Sequence, residues 1–363
     1  MPTIGDILGA RQGEGKGFGL LRLGLAAAIF FYHSTVYSGT VSWNDGWSGP
    51  TRPILYVLVP AFFALSGFLV TGSALRLRKT STFIAFRVLR ILPALSVEVM
   101  LSAVVLGAVF THLPLSEYFT EHGFWRYFGN IIGLVTFTLP GVFTDNPVNT
   151  VNGNLWTLPA ELHCYLITAA LMITGAFYNR RLMIMTLGLV TAIFLVMNTF
   201  GDFAANRNHA SPTVVTFYFF VGLLFFHWKN RIPMNWHMFA LSAATAYLLT
   251  LSPHTVFLAP VFVTYCVVFL GVAGLPEMQW IKKHDYSYGL YLYGCPILQA
   301  IMATAPLLKG HAALVSGVGF CMSIGLAALS WIFIEKPTLA LKNRLPELAE
   351  RSLGARPQIL PQA

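Results

Sequence analysis

Charge is what this sequence has least of. Asp, Glu, Lys and Arg together make up 10% of its 363 residues, where a soluble domain carries about a quarter. That deficit, with 56% hydrophobic residues and a mean hydropathy of +0.65, excludes a soluble globular enzyme and indicates a polytopic membrane protein. Length alone would suggest two domains, but no polar stretch is long enough to fold as a separate soluble one. Acidic residues are the scarcer sign, 14 against 23 Lys and Arg, giving a formal charge of +9. The basic residues sit in short clusters between apolar runs, a topology signal that argues against nucleic acid as a partner. The only cysteines are Cys164, Cys266, Cys295 and Cys321, all inside apolar runs and without metal-ligand spacing. They are expected to be small buried side chains, and no metal is expected. Internal repeats and low-complexity tracts are also missing. Gly13, Gly15, Gly17 and Gly19 follow no strand, so they read as a flexible lead-in and not as a phosphate loop.

What is present is a series of apolar runs, at about residues 20–41, 53–75, 93–110, 155–178, 182–200, 212–227, 234–251, 255–274, 288–305 and 313–334. The expected fold class is therefore an all-α integral membrane protein of about ten transmembrane helices. Basic residues precede the first run, as in a signal peptide, but no small-residue cleavage site follows, and an uncleaved first span is expected. Thr80 to Arg90 reads as an interfacial stretch, with Pro93 opening or kinking the third span. The piece 128–139 is too short to cross and is expected to be re-entrant or interfacial. With both termini cytoplasmic, all but four of the 23 Lys and Arg residues lie on the cytoplasmic side, the exceptions being Arg52, Arg126, Arg207 and Lys309. The chain divides into a lead-in, 1–19, a single transmembrane domain, 20–335, and a basic cytoplasmic tail, 336–363.

Three constellations can carry chemistry. Arg22 and His33 stand eleven residues apart on one helix, which places both on one face, separated by about 16 Å along the axis. An arginine there holds an anion or snorkels to headgroups; a histidine near mid-bilayer moves a proton or makes a polar contact between helices. Arg87 and Arg90 form a second basic pair on the same side, suited to phosphates or acting simply as a topology signal. Glu98, in the third span, is expected to pair with one of these arginines. The third constellation runs from Asn152 through Trp156 and Glu161 to Tyr165. Trp156 fits an interfacial belt, while Glu161 and Tyr165 share a face four residues apart. Glu161 can orient a catalytic imidazole, bind sugar hydroxyls, or pair with a neighbouring helix. Tyr286 to Gly294, with Tyr291, lines a polar cavity or anchors a span. Phe62 to Phe68 carries small residues for close packing against the first span. His112, His122, His209 and His254 are scattered and lack metal spacing.

These patches, in this order, resemble the acyltransferase-three family of bacterial membrane acyltransferases. The likeness rests on Arg22 with His33, Phe62-Phe-Ala-Leu-Ser-Gly-Phe68 and Arg87 to Pro93. It continues through Leu155-Trp-Thr-Leu-Pro-Ala-Glu161, Tyr286-Ser-Tyr-Gly-Leu-Tyr-Leu292 and Ile334-Glu-Lys-Pro337, and so covers nearly the whole chain. The resemblance implies transfer of an acyl group, commonly acetyl from acetyl-CoA, to a hydroxyl of an exopolysaccharide, O-antigen or other cell-envelope glycan. It makes His33 the catalytic base, Arg22 its motif partner, and Arg87 with Arg90 the contacts of the CoA phosphates. Trp156 and Glu161, with Tyr165 and Tyr291, fall to the acceptor side. Many members carry Trp-His where this chain has Tyr293-Gly294, and this departure means that the role of that second histidine does not carry over with the resemblance.

The expected protein thus sits in the bacterial inner membrane among lipids and meets a sugar or lipid-linked oligosaccharide, with polysaccharide biosynthesis and export machinery as further partners. Transfer is expected to be direct. Ser34 points about 100° away from His33 on the helix, which disfavours it as a nucleophile, while Ser66 or another group leaves an acyl-enzyme route open. The competing class is a proton-coupled exporter of a glycan precursor, which ten spans with a buried His and Glu also suit.

Overall fold

The computed structural model describes residues 1–11, 15–42, 49–200, 210–252 and 254–341. Among these, regular structure is helical apart from two isolated bridges, Thr3 to Pro233 and Thr111 to Val142. Ten principal helices fall on the ten apolar runs. They are α1 (Phe18–Tyr37), α2 (Arg52–Leu77), α3 (Thr80–Met100), α4 (Thr157–Ile173), α5 (Arg180–Phe200), α6 (Pro212–His227), α7 (Trp236–Leu251), α8 (Pro260–Phe269), α9 (Ser287–Thr304) and α10 (Ala312–Ser330). By length and composition five helical stretches can cross a membrane: Phe18–Tyr37, Gly49–Leu77, Thr80–Phe110, Gly153–Ile173 and Ala312–Ala340. The apolar faces they turn outward, such as Val104, Val105 and Val109, or Leu314, Val318 and Met322, suit a lipid solvent.

Local chemistry sets the boundaries. Pro53 stands in the first turn of α2, where its missing N–H costs nothing. The chain leaves α2 through Arg78, held in the left-handed region at φ 55°, and α3 starts two residues later. The third run differs from expectation: Thr80–Arg90 is no separate interfacial piece but the start of one helical stretch. It passes through Pro93 and a π-turn at Leu101–Leu106 to Phe110, with Phe83 fully buried. Proline removes one hydrogen bond, and packing against neighbouring helices keeps such a helix continuous.

The piece 128–139 forms a single 3₁₀ segment, Phe128–Ile132, then runs on without helix. The Asn130 side chain ties it down, donating to the carbonyls of Tyr127 and Thr136 and accepting from the Thr136 amide.

Close packing depends on glycine at one pair in particular. A Cβ on Gly67 would collide with the Phe219 carbonyl, and one on Gly222 with the Ala64 carbonyl, so α2 and α6 meet backbone to backbone. Ala64 and Gly67 of the 62–68 stretch therefore meet α6, while Phe68 packs on Phe18 of the first span. α9 packs between α1 and α10. The lead-in is docked where described: Ile4–Gly9 begins with a Thr3/Asp6 capping box and hydrogen-bonds the 229–234 segment, and the Gly17 amide donates to the Gly271 carbonyl. Of the lead-in glycines, Gly13 lies outside the described residues, as does the tail from 342. Cys164 and Cys295 are buried as expected, Cys266 is half-buried, and Cys321 is exposed on α10.

Candidate active site

Two cavities lie along α1. One, of about 180 Å³, is lined by Arg22, Arg87, Arg90, Glu161, Tyr165 and Tyr288 among others. The second, of about 430 Å³, is lined by His33 and by the aromatic rings of Tyr32, Tyr37, Tyr56, Phe137 and Trp156. Between them is a narrow gap bordered by His33, Asn154, Tyr291 and Cys295. His33 borders the gap and the second cavity, and Tyr291 borders the gap and the first. The face shared by Arg22 and His33, read from an eleven-residue spacing, thus borders two chambers.

At the arginine end, Arg22 and Arg90 converge on Asp285, at 3.1 Å and 2.7 Å. Asp285 lies just before α9 and accepts from the Ser287 hydroxyl at 2.6 Å. Burial alone would raise its pKa, but Arg90, Arg22 and Ser287 outweigh that and hold the carboxyl well below the usual range. Arg90 also reaches Glu335, at 3.4 Å. Arg87 stands apart: it donates to the Ser73 hydroxyl at 3.2 Å, and its guanidinium lies 5.6 Å from the Phe83 ring centre and 5.7 Å from that of Tyr165. The Nε atoms of Arg22 and Arg87 have no hydrogen-bond partner. Apolar side chains including Phe62, Leu69, Val70 and Leu158 complete the walls, so the chamber suits an anion with an apolar body.

At the other end, His33 is 7% exposed and its Nδ1 lies 3.3 Å from the Cys295 sulfur. The loop that closes this chamber is pinned to α9 by Gln299, whose amide donates to the Val148 and Thr150 carbonyls at 2.7 Å and 2.5 Å. Asn152 donates to Glu98 and to the Leu292 carbonyl, both at 2.9 Å, and accepts from the Asn154 amide. Glu98 is therefore not an arginine partner. Its hydrogen bonds come from Asn152 and from Ser102, one turn along its own helix, and it lies two turns beyond Arg90. Ser34 donates to the Phe31 carbonyl and pairs with Ser316, away from the imidazole, as the helical angle required. At Gly294 a Cβ would lie 2.9 Å from the Phe30 ring, so α9 meets the first span closely beside Cys295.

The structure divides the third constellation. Trp156 lines the His33 chamber, and Tyr291 reaches the gap, its hydroxyl 2.9 Å from that of Thr157. Glu161 and Tyr165, expected beside Trp156 on the acceptor side, line the arginine chamber instead, with the Tyr165 hydroxyl donating to Glu161. Glu161 is five residues past Trp156, about 7.5 Å along the helix and about 140° round it, and so faces a different space. Asp285, Asn154 and Cys295 were not foreseen. The signal for Asp285 was legible, a lone acid after Lys282-Lys283-His284 just before a span; Cys295 gave none.

Comparison with known proteins bears on this arrangement. A family model described as an acyltransferase domain matches residues 16–334. The chain is 27% identical to nodulation protein 10 of Rhizobium leguminosarum bv. viciae, over 92% of this chain and 96% of that protein. It is 25% identical to an O-acetyl transferase of Shigella phage Sf6, over 82% of this chain and 90% of the other. No solved structure matches it.

Proposed function

The chain belongs to the acyltransferase-3 family, and from that premise we propose that this acyltransferase moves an acetyl group from acetyl-CoA to a sugar hydroxyl of an exopolysaccharide or other cell-envelope glycan, free or lipid-linked. The observation that carries the reading is the pair of chambers, one rich in arginine and one holding His33, that meet at a gap. In this reading ten segments cross the bacterial inner membrane, both termini are cytoplasmic, residues 128–139 dip without crossing, and the arginine chamber faces the cytoplasm. Arg22, Arg87 and Arg90 then hold the phosphates of acetyl-CoA, guanidinium forks being suited to them. The thin pantetheine arm runs toward the gap.

His33, neutral, takes the proton of a sugar hydroxyl as that oxygen attacks the acyl carbonyl. Trp156 and the tyrosines of the second chamber offer flat amphipathic faces to the sugar. Tyr291 stands where donor and acceptor meet. Glu161, lying among the arginines, is assigned to the donor side with Tyr165. Holding both reactants at one gap supplies much of the rate. An exporter would need none of this convergence of phosphate-binding and proton-accepting groups. The name of the phage relative, an O-acetyl transferase, supports acetyl as the group and oxygen as its acceptor.

The test is NMR of surface polysaccharides from cells carrying the wild type, His33→Ala, or no copy of the gene. The expected result is loss of the same acetyl signal in the last two, with the glycan still exported and the variant still in the membrane. Unchanged acetylation with lost export would overturn the proposal.

A further inference from the structure

The acyl-transfer reading leaves one buried nucleophile without a role. Cys295 is 1% exposed, borders the gap between the chambers, and is in hydrogen-bond contact with His33 Nδ1. A thiol within hydrogen-bond reach of an imidazole is the nucleophile and base pairing of covalent catalysis. A second feature points to a ligand in the same gap. Asn154 is 4% exposed and lines it, its Nδ2 donates to the Tyr291 carbonyl, and its Oδ1 has no partner. An unmet buried acceptor there suits an amide N–H of the kind a pantetheine arm carries.

We propose that Cys295 carries the acyl group between the two substrates as a thioester. The inference rests on the function proposed above and adds a covalent intermediate to it. In the first half His33 Nδ1 takes the thiol proton while Sγ attacks the donor thioester carbonyl. The tetrahedral adduct expels the CoA sulfur, which leaves with that proton, so one thioester replaces another. In the second half His33 takes the proton of the sugar hydroxyl as its oxygen attacks the Cys295 thioester, and Sγ departs with the proton. One S-acyl bond is broken and one O-acyl bond formed, with no net redox change. The donor can then leave before the acceptor is acylated, which separates reactants that approach from opposite chambers.

The experiment incubates the purified full-length protein with acetyl-CoA labelled in the acetyl group and without acceptor, followed by acid quench, digestion and mass spectrometry. The expected result is a single acetyl on the peptide containing Cys295, removed by neutral hydroxylamine, absent from Cys295→Ala, and converted by Cys295→Ser to a hydroxylamine-resistant ester. Steady-state kinetics with both substrates are expected to be ping-pong. Acetyl transfer by the wild type with no acetyl on Cys295 at any quench time would overturn the inference. So would a Cys295→Ala variant of unchanged melting temperature that transfers acetyl at the wild-type rate. In both cases the acyltransferase reading stands. A wild-type protein that neither takes up acetyl nor transfers it refutes that reading itself.

Discussion

Arg87 and Arg90 look alike in sequence, three residues apart in one basic cluster, yet their surroundings set opposite expectations for removing them. Arg90 is 19% exposed and neutralises two carboxylates, Asp285 at 2.7 Å and Glu335 at 3.4 Å, the latter 2% exposed. Arg90→Ala leaves Glu335 without its cation and Asp285 with Arg22 alone, and removing one partner of a buried ion pair costs about 3–5 kcal/mol. Arg87 has a neutral hydroxyl partner, Ser73, and two aromatic rings near 5.6 Å. Its loss costs about 1–2 kcal/mol of stability from one hydrogen bond and two weak cation–π contacts.

The order reverses for the donor. Arg87 Nε has no hydrogen-bond partner and, although Glu161 lines the same chamber, Arg87 makes no salt bridge among the described residues, so a phosphate it binds gains a charge-assisted hydrogen bond of about 1.5–3 kcal/mol. Arg87→Ala should therefore raise KM for acetyl-CoA by about 10- to 100-fold with little change in melting temperature. Arg90→Ala should lower the melting temperature of the detergent-purified protein first. Thermal unfolding and CoA-release kinetics on both variants are the measurements. Equal melting temperatures for the two, or an unchanged KM for Arg87→Ala, would refute the assignment of one arginine to the fold and the other to the donor.

Two further expectations follow from the polar contacts. The folded pKa of Asp285 lies below its unfolded value, so the stability it adds is present in full above about pH 4 and is lost as pH falls through the folded value. Asp285→Asn should cost about 3 kcal/mol at pH 7 and flatten the loss of stability below pH 4, read as melting temperature against pH. Gln299→Leu removes the donor to the Val148 and Thr150 carbonyls, each worth about 1–3 kcal/mol if left unmet, and loosens the loop over the His33 chamber. It should raise the apparent KM for the acceptor more than that for acetyl-CoA; an equal effect on both would show that the loop does not govern the acceptor chamber.

Helix positions were legible because they follow from composition. Ten apolar runs became ten helices, and an eleventh, too short to cross, did not. The shared face of Arg22 and His33 follows from helical angle alone, as does the turning away of Ser34. What lies opposite a given face does not follow from it. Glu98 was assigned to an arginine because it follows the Arg87 and Arg90 pair closely in the chain, but its partner is Asn152, more than fifty residues on. Glu161 was grouped with Trp156 because they are neighbours in the chain, and the helix carries them into different chambers. Gly67 was read toward the first span and packs on α6 instead.

The sequence by itself determined that this chain is helical, apolar and membrane-suited, and that it carries arginines and a histidine on one helix face, because hydropathy and the 3.6-residue period are local properties. Only the tertiary structure decided that Arg22 and Arg90 share Asp285 and that a cysteine from α9 lies against His33. Those pairings join residues some two hundred or more positions apart, and they depend on which faces pack together, a choice that no local period encodes.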